Sequence, residues 1–144
     1  MLITNTVVAM KRYVSFFVLI LNCYCSMGQI DKLGFTRSAI INSTDGEPCK
    51  SSYDAIWYCG ENGSRINYGF EGNFVTSVLY MWEFPSKYEA DTDVRNEISK
   101  YTAEYGRPEM KNGQAFWFVG DNLIMISYGY TNGNHYSTWR VSKR

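Results

Sequence analysis

The sequence predicts an α+β fold made of two repeats, each a helix followed by a three-stranded antiparallel meander, with both helices on one face of a shared sheet. One observation behind this prediction is an ungapped match between two stretches that lie sixty positions apart. The other is that each stretch has a helix-like segment, a glycine-x-proline stop and then alternating strand-like runs. A match that includes both turn residues and large aromatic residues indicates that one supersecondary unit is duplicated. The matching pairs are Gly46/Gly106, Pro48/Pro108, Trp57/Trp117, Gly60/Gly120, Asn62/Asn122, Ile66/Ile126, Tyr68/Tyr128 and Gly69/Gly129.

The composition is that of a folded protein with a well-packed core. Of the 144 residues, 45% are hydrophobic and 17% are aromatic, which suits a single packed domain. The formal net charge is zero, so the chain has no broad basic surface of the kind that a phosphate backbone requires. We therefore expect no nucleic-acid partner.

The first 28 residues have the pattern of a signal peptide. Lys11-Arg12 supply a positive region, residues 14–21 supply an apolar run, and small residues up to Gly28 suit cleavage there. The apolar run is shorter than the roughly 20 residues that span a bilayer, so no membrane span is expected. The predicted natural start is Met10, and the predicted mature part, residues 29–144, is one α+β domain whose repeats cover 34–84 and 92–142.

The cysteines leave two export routes open. Cys23 follows a loose version of the bacterial lipoprotein signal, and lipidation there would anchor the chain to a membrane. Cleavage after Gly28 instead removes Cys23 and Cys25 and leaves Cys49 with Cys59, an even number that suits one disulfide in an exported protein. We predict this disulfide and a secreted or periplasmic protein, with the membrane-anchored lipoprotein as the alternative.

The first repeat is predicted to open with a helix at Thr36. Thr36 can cap the first turn, and Phe35 before it can pack on Ile40 as a hydrophobic staple. Gly46 suits the left-handed helix end, and Pro48 prevents continuation of the helix. Three strands are then predicted at 55–59, 65–70 and 74–84, separated by glycine- and asparagine-rich turns.

The second repeat follows the same plan. Asp91-Thr92-Asp93 suit a helix N-terminus, and the apolar positions Val94, Ile98, Tyr101 and Tyr105 recur along one helix face. Gly106-Arg107-Pro108 end this helix. The predicted strands are 115–119, 123–130 and 135–141.

The predicted disulfide orients the first strand. The loop that carries Cys49 follows a helix on the core face, so we predict that Cys59 points to the core as well. Side chains alternate along a strand, which places Trp57 with Cys59 and places Ile56 and Tyr58 on the opposite, open face.

We assume that equivalent residues of the two repeats face the same side of the sheet. This assumption predicts that Trp117 faces the core while Phe116 and Phe118 face outward. An open face that mixes aromatic residues with arginine is typical of a protein-binding surface, although the other repeat, a loop or the C-terminus could instead bury some of these aromatics. The predicted partner-binding residues are Tyr58, Arg65, Asn67, Phe116 and Phe118.

The sequence shows no catalytic set. His135 is the only histidine, and no nucleophile or orienting carboxylate is placed beside it, so a solvated hairpin histidine is predicted. Glu61 and Asp121 occupy equivalent turns and are interpreted as turn residues rather than a carboxylate pair. We therefore predict a protein that is not an enzyme and that needs no metal or cofactor.

Two families resemble parts of this plan. Gly34-Phe35-Thr36, the helix and then Gly46-Glu47-Pro48 before a meander resemble the small outer-membrane lipoprotein family SmpA/OmlA. A tandem of such units is similar to the beta-lactamase inhibitor protein family. The second unit departs from the pattern, because Val94-Arg95-Asn96 stands where the glycine-x-threonine start is expected. The resemblance implies this fold and binding through the open sheet face.

Two functions from different classes follow. The first is a secreted or periplasmic module that binds another protein, as an inhibitor, an immunity factor or an envelope-assembly accessory. The alternative is a carrier of a small apolar or carbohydrate ligand in a cleft between the repeats, with Trp57 or Trp117 at its wall.

Overall fold

In residues 31–144, the part of the chain that the computed structural model describes, eight strands form one antiparallel sheet accompanied by two helices. The elements are α1 Arg37–Ser43, β1 Lys50–Ser51, β2 Ala55–Cys59, β3 Arg65–Glu71, β4 Phe74–Phe84, α2 Lys87–Tyr105, β5 Glu109–Lys111, β6 Gln114–Val119, β7 Asn122–Thr131 and β8 Asn134–Lys143. The strand order across the sheet is β1-β2-β3-β4-β8-β7-β6-β5, so the last strands of the two halves, β4 and β8, meet at the centre.

The predicted fold class, two repeats of a helix plus three strands, is wrong. The sheet has eight strands, because β1 and β5 form in the segments after Pro48 and Pro108, where no strand is predicted. These strands have two and three residues, too few to show an alternating pattern. They exist because they pair with β2 and β6 at the two edges of the sheet.

Both helices begin at capping residues that the sequence provides. The Thr36 hydroxyl accepts a hydrogen bond from the amide of Ala39 at 3.2 Å and opens α1, as predicted. α2 begins one turn before the predicted acidic start, because Ser86 caps it by accepting from the amide of Glu89 at 3.3 Å. The Glu89 carboxylate in turn accepts from the Ser86 hydroxyl at 2.7 Å, which fixes the capping side chain in place.

One face of the sheet carries both helices. The guanidinium of Arg37 at the start of α1 lies 4.5 Å from the ring centre of Phe70 of β3, and Tyr101 of α2 packs on Trp117 and Trp139 with ring centroids 5.8 and 6.3 Å apart. The strand register places Phe70, Trp117 and Trp139 on the same side. We call this side the helix-covered face and the other side the open face.

The core lies between the two helices and the helix-covered face. The side chains with no exposed area in this layer include Ile56, Val78, Ala90, Ile124, Ile126 and Val141. They come from β2, β4, α2, β7 and β8, so the hydrophobic layer joins both halves of the sheet. Tyr136 is an exception to this pattern, because it is 1% exposed yet lies on the open face opposite Gly129.

The predicted disulfide is confirmed. The sulfur atoms of Cys49 and Cys59 are 2.01 Å apart and their Cα atoms are 5.8 Å apart. The bond ties the segment just before β1 to the end of β2, at one edge of the sheet. The predicted signal peptide, the start at Met10 and the alternative lipidation site at Cys23 lie outside the described residues.

The predicted orientation of β2 is wrong. Ile56 and Tyr58 lie on the helix-covered face and are 0% and 7% exposed, whereas Trp57 and Cys59 lie on the open face. Trp117, at the position equivalent to Trp57, lies on the helix-covered face and is 3% exposed. The two tryptophans that the repeat aligns therefore face opposite sides of the sheet.

Hairpin length explains this reversal. Cys59 pairs with Arg65, so five residues connect β2 to β3, whereas Val119 pairs with Asn122, so two residues connect β6 to β7. The difference is odd, and side chains alternate along a strand with period two. The strand before the longer hairpin is therefore turned over relative to its equivalent.

Two tyrosines of α2, Tyr101 and Tyr105, are expected to make the folded protein less stable at high pH. Burial raises the pKa of Tyr101 far above its ordinary value of 10.0, and burial with the neighbouring Glu104 raises the pKa of Tyr105 to about 12. The folded pKa values are raised, so the stabilisation is complete below the unfolded pKa and disappears as pH rises toward the folded values. We expect the free energy of unfolding to fall from about pH 10 to pH 12 in urea titrations.

The matched variants for that titration are Tyr101→Phe and Trp57→Phe. Tyr101→Phe should flatten the alkaline slope, whereas Trp57→Phe changes an aromatic ring on the open face without removing an ionisable group and should leave the slope unchanged. An alkaline slope that is the same in the wild type and Tyr101→Phe would contradict the assignment to Tyr101.

Candidate binding face

The open face carries one row of side chains that crosses all eight strands. The register aligns them at one level, with the centre of the row between β4 and β8. In order across the sheet, the row is Lys50, Trp57, Asn67, Leu79, Arg140, Met125, Phe116 and Glu109. The row mixes apolar and aromatic residues with polar ones, while both described helices lie on the other side.

Four of the five predicted partner-binding residues lie on the open face. Arg65 and Asn67 come from β3, and Phe116 and Phe118 come from β6. Asn67 and Phe116 are four strands apart in the row, a distance of about 19 Å at the usual strand spacing. The structure therefore places the four on one face but in two separate groups.

Tyr58 does not belong to either group. It lies on the helix-covered face, where it is 7% exposed and packs edge-on against Tyr68 with ring centroids 6.1 Å apart. Its predicted place on the open face is wrong. Tyr58 is a core residue of the first half of the sheet.

The two residues from β3, Arg65 and Asn67, already contact other groups within the protein. The guanidinium of Arg65 lies 3.9 Å from a carboxylate oxygen of Glu83 and 5.8 Å from the ring centre of Tyr136. The Tyr136 hydroxyl donates to the same carboxylate at 3.2 Å. The Asn67 amide donates to the carbonyl of Ile56 at 3.4 Å. These contacts stabilise the sheet and leave Arg65 with a partner already in place.

The two residues from β6, Phe116 and Phe118, form an apolar patch with two residues of β7 near one end of the sheet. Phe118 pairs across the strands with Leu123, and Phe116 pairs with Met125. Phe118 is 54% exposed, and the other three are partly exposed. We call these four residues the apolar corner. The guanidinium of Arg144 lies 4.9 Å from the ring centre of Phe118, and this contact covers part of the corner with a cation.

Sequence reasoning misses several residues of the open face, among them Trp57, Leu79, Met125 and Arg140. It assigns Trp57 to the core and assigns no face to Met125 or Arg140. For Met125 the sequence contains a usable signal, since this residue lies one position before Ile126, which belongs to the alternating apolar set Ile126, Tyr128 and Tyr130. The orientation of Arg140 depends on the pairing of β8 with β4, which joins residues from the two different halves.

His135 is placed differently from the solvated position that the sequence predicts. It is half-buried on the helix-covered face, and its Nδ1 atom lies 2.7 Å from the Tyr128 hydroxyl, within hydrogen-bonding distance. Its ring also lies near that of Tyr130, with centroids 4.9 Å apart. Tyrosine contacts, rather than a carboxylate and a nucleophile, surround this histidine in the described structure.

The part of the chain from residue 31 to residue 144 contains no evident metal centre. In this range, no group of three or more histidine, cysteine, aspartate or glutamate side chains is arranged to hold a metal ion. Across the same residues, neither helix is long and apolar enough to cross a membrane.

Comparison with known proteins gave no match to a family model, to a curated protein or to a solved structure. The resemblance to the SmpA/OmlA and beta-lactamase inhibitor protein families stays a prediction.

Proposed function

We propose that this protein is an exported binding module that docks another protein on its open sheet face. The observation that supports the proposal most is the apolar corner, where Phe116, Phe118, Leu123 and Met125 form neighbouring cross-strand pairs on the face away from both described helices. Single exposed apolar residues need no explanation, but contiguous patches mark interaction sites. The identity of the partner decides among three roles: inhibition of an enzyme, neutralisation of a toxin, and envelope assembly.

Export is the second part of the proposal. The predicted signal peptide supports it, and so does the Cys49–Cys59 disulfide, since such bonds persist in oxidising compartments. The proposed compartment is the periplasm or the exterior, with membrane anchoring through Cys23 as the alternative that intact-mass measurement of the natural protein would reveal.

The small-ligand alternative needs a cleft with Trp57 or Trp117 at its wall. Trp117 is 3% exposed and packs on Tyr101 of α2, whereas Trp57 lies on the open face and is partly exposed, so Trp57 is the remaining candidate for such a wall. We favour protein binding because the apolar corner is a contiguous patch.

Affinity capture followed by reconstitution tests the proposal. The purified protein is used as bait against envelope and secreted fractions of its source, and the captured protein is then produced separately and titrated by calorimetry. We expect Phe118→Ala to weaken binding by roughly thirtyfold, which corresponds to about 2 kcal/mol for a buried aromatic anchor.

Tyr88→Ala is the matched control for Phe118→Ala. Tyr88 is an aromatic residue on α2 that is 75% exposed and lies away from the open face. Its substitution should change the affinity by less than about twofold. Equal affinities of the wild type and Phe118→Ala, or loss of binding in Tyr88→Ala, would contradict docking on the open face.

A further inference from the structure

Arg140 is an exposed cation at the centre of the open face. It lies in β8, one of the two central strands, and its direct cross-strand neighbours are Leu79 of β4 and Met125 of β7. Arg140 is one strand away from Met125 of the apolar corner and two strands away from Phe116. At the usual spacing of about 4.8 Å between strands, these separations are about 5 and 10 Å.

The surroundings of Arg140 on this face contain no charge. The register gives it eight neighbours on the same side of the sheet: two directly opposite, four diagonal and two along its own strand. They are Leu79, Met125, Ser77, Met81, Leu123, Ser127, Thr138 and Ser142, all of them uncharged. Among the described residues, no salt bridge, side-chain hydrogen bond or ring contact engages the Arg140 side chain.

Arg65 on the same face shows the opposite arrangement. Its guanidinium already has Glu83 at 3.9 Å, and Glu83 also accepts from Tyr136. The sheet therefore supplies a carboxylate to Arg65 and leaves Arg140 open to a partner.

A protein that covers the apolar corner must also come close to Arg140. A typical interface buries roughly 800 Å² on each partner, which corresponds to a patch about 28 Å across. Arg140 and Phe116 are separated by two strand spacings, about 10 Å, so one such interface covers both residues. Covering a guanidinium without supplying an acceptor is costly, because its water hydrogen bonds are lost and not replaced. The planar guanidinium fork is best satisfied by a carboxylate, which accepts two parallel hydrogen bonds.

We propose that the partner presents an Asp or Glu carboxylate to Arg140, flanked by apolar side chains that contact Leu79 and Met125. This inference rests on the proposed function and specifies the chemistry of its partner. A phosphate group fits less well, because it carries close to two negative charges and Arg140 has no second cation among its eight neighbours.

Selection from a display library of random linear peptides tests this chemistry, because the experiment needs only the purified protein. The library is panned on the wild type, and the enriched peptides are synthesised and titrated. We expect them to carry an Asp or Glu next to an aromatic or aliphatic residue. Arg140→Glu should weaken their binding by about a hundredfold, because the attraction is replaced by repulsion between like charges.

Three measurements make the outcome specific. Arg107→Glu applies the same charge reversal at another exposed arginine and should change the affinity by less than about twofold. Arg140→Lys keeps the charge but loses the fork, so it should weaken binding by an intermediate amount. Thermal unfolding of each variant verifies that the fold is retained, which is expected for substitutions at exposed positions.

The results separate this inference from the proposed function. Peptides that lose binding in Phe118→Ala but keep it in Arg140→Glu would overturn the carboxylate inference while leaving docking on the open face intact. Enriched peptides that are indifferent to both variants, or a selection that enriches no peptide, would overturn both.

Discussion

Replacing Trp117 by alanine is expected to lower the free energy of unfolding by roughly 3–5 kcal/mol. Trp117 is 3% exposed, its indole nitrogen donates to the carbonyl of Gly106 at 2.8 Å, and its ring packs on Tyr101 with centroids 5.8 Å apart. Alanine would leave a large cavity between β6 and α2 and would remove the partner of the carbonyl at the end of that helix. Equilibrium unfolding in urea measures the loss.

Trp57→Ala is the matched control, because Trp57 is the repeat equivalent of Trp117. It lies on the open face and is only partly buried, so its removal should cost no more than about 1 kcal/mol. Trp117→Phe, which keeps much of the ring but loses the bond to Gly106, should fall between the two alanine variants. Equal losses for Trp57→Ala and Trp117→Ala would contradict the opposite orientations of the two tryptophans.

The longer strands and both helices could be predicted because their signals are local. Alternating apolar residues between glycine- and asparagine-rich turns place the six longer strands within one or two residues at most ends, and Thr36 places the start of α1. β1 and β5 could not be found in this way. Their two and three residues carry no period, and they become strands only by pairing with a neighbour.

The orientation of the strands could not be transferred through the repeat. The ungapped match of Gly60 with Gly120 hides the fact that one hairpin connection has five residues and the other two. A bulge adds a second difference, because Gly69 pairs with Ser77 while Phe70 pairs with Val75, which leaves an extra residue in β4. A change of hairpin or bulge length by an odd number of residues reverses which face a strand turns to the core. The matching residues of the two repeats give no information about such a change.

The outward orientation of Phe116 and Phe118 is predicted correctly because two errors cancel. The assumption that Cys59 faces the core is wrong, and the assumption that equivalent positions of β2 and β6 share an orientation is also wrong. The first error reverses the predicted orientation of β2, and the second reverses it again when it is transferred to β6. Phe116 and Phe118 are therefore still placed on the open face. Tyr58, which depends on the first error alone, is placed on the wrong side.

Tyr58→Ala is therefore expected to destabilise the fold rather than act on binding. The Tyr58 ring is 7% exposed and packs on Tyr68, so truncation should lower the free energy of unfolding by roughly 3–5 kcal/mol. If Tyr58 lay on the open face, as the sequence predicts, this substitution would leave folding nearly intact. Urea unfolding distinguishes the two expectations directly.

Tyr58→Phe separates the ring of Tyr58 from its hydroxyl. The hydroxyl oxygen is buried and has no hydrogen-bond partner among the described residues, so its removal avoids a desolvation cost that no bond offsets. We expect Tyr58→Phe to be as stable as the wild type or more stable by about 1 kcal/mol, in contrast to the large loss in Tyr58→Ala. A loss above about 1 kcal/mol in Tyr58→Phe would show that the hydroxyl makes a bond in the folded protein. Since Tyr58 lies on the helix-covered face, Tyr58→Phe should also bind the partner with wild-type affinity, while Phe118→Ala should not.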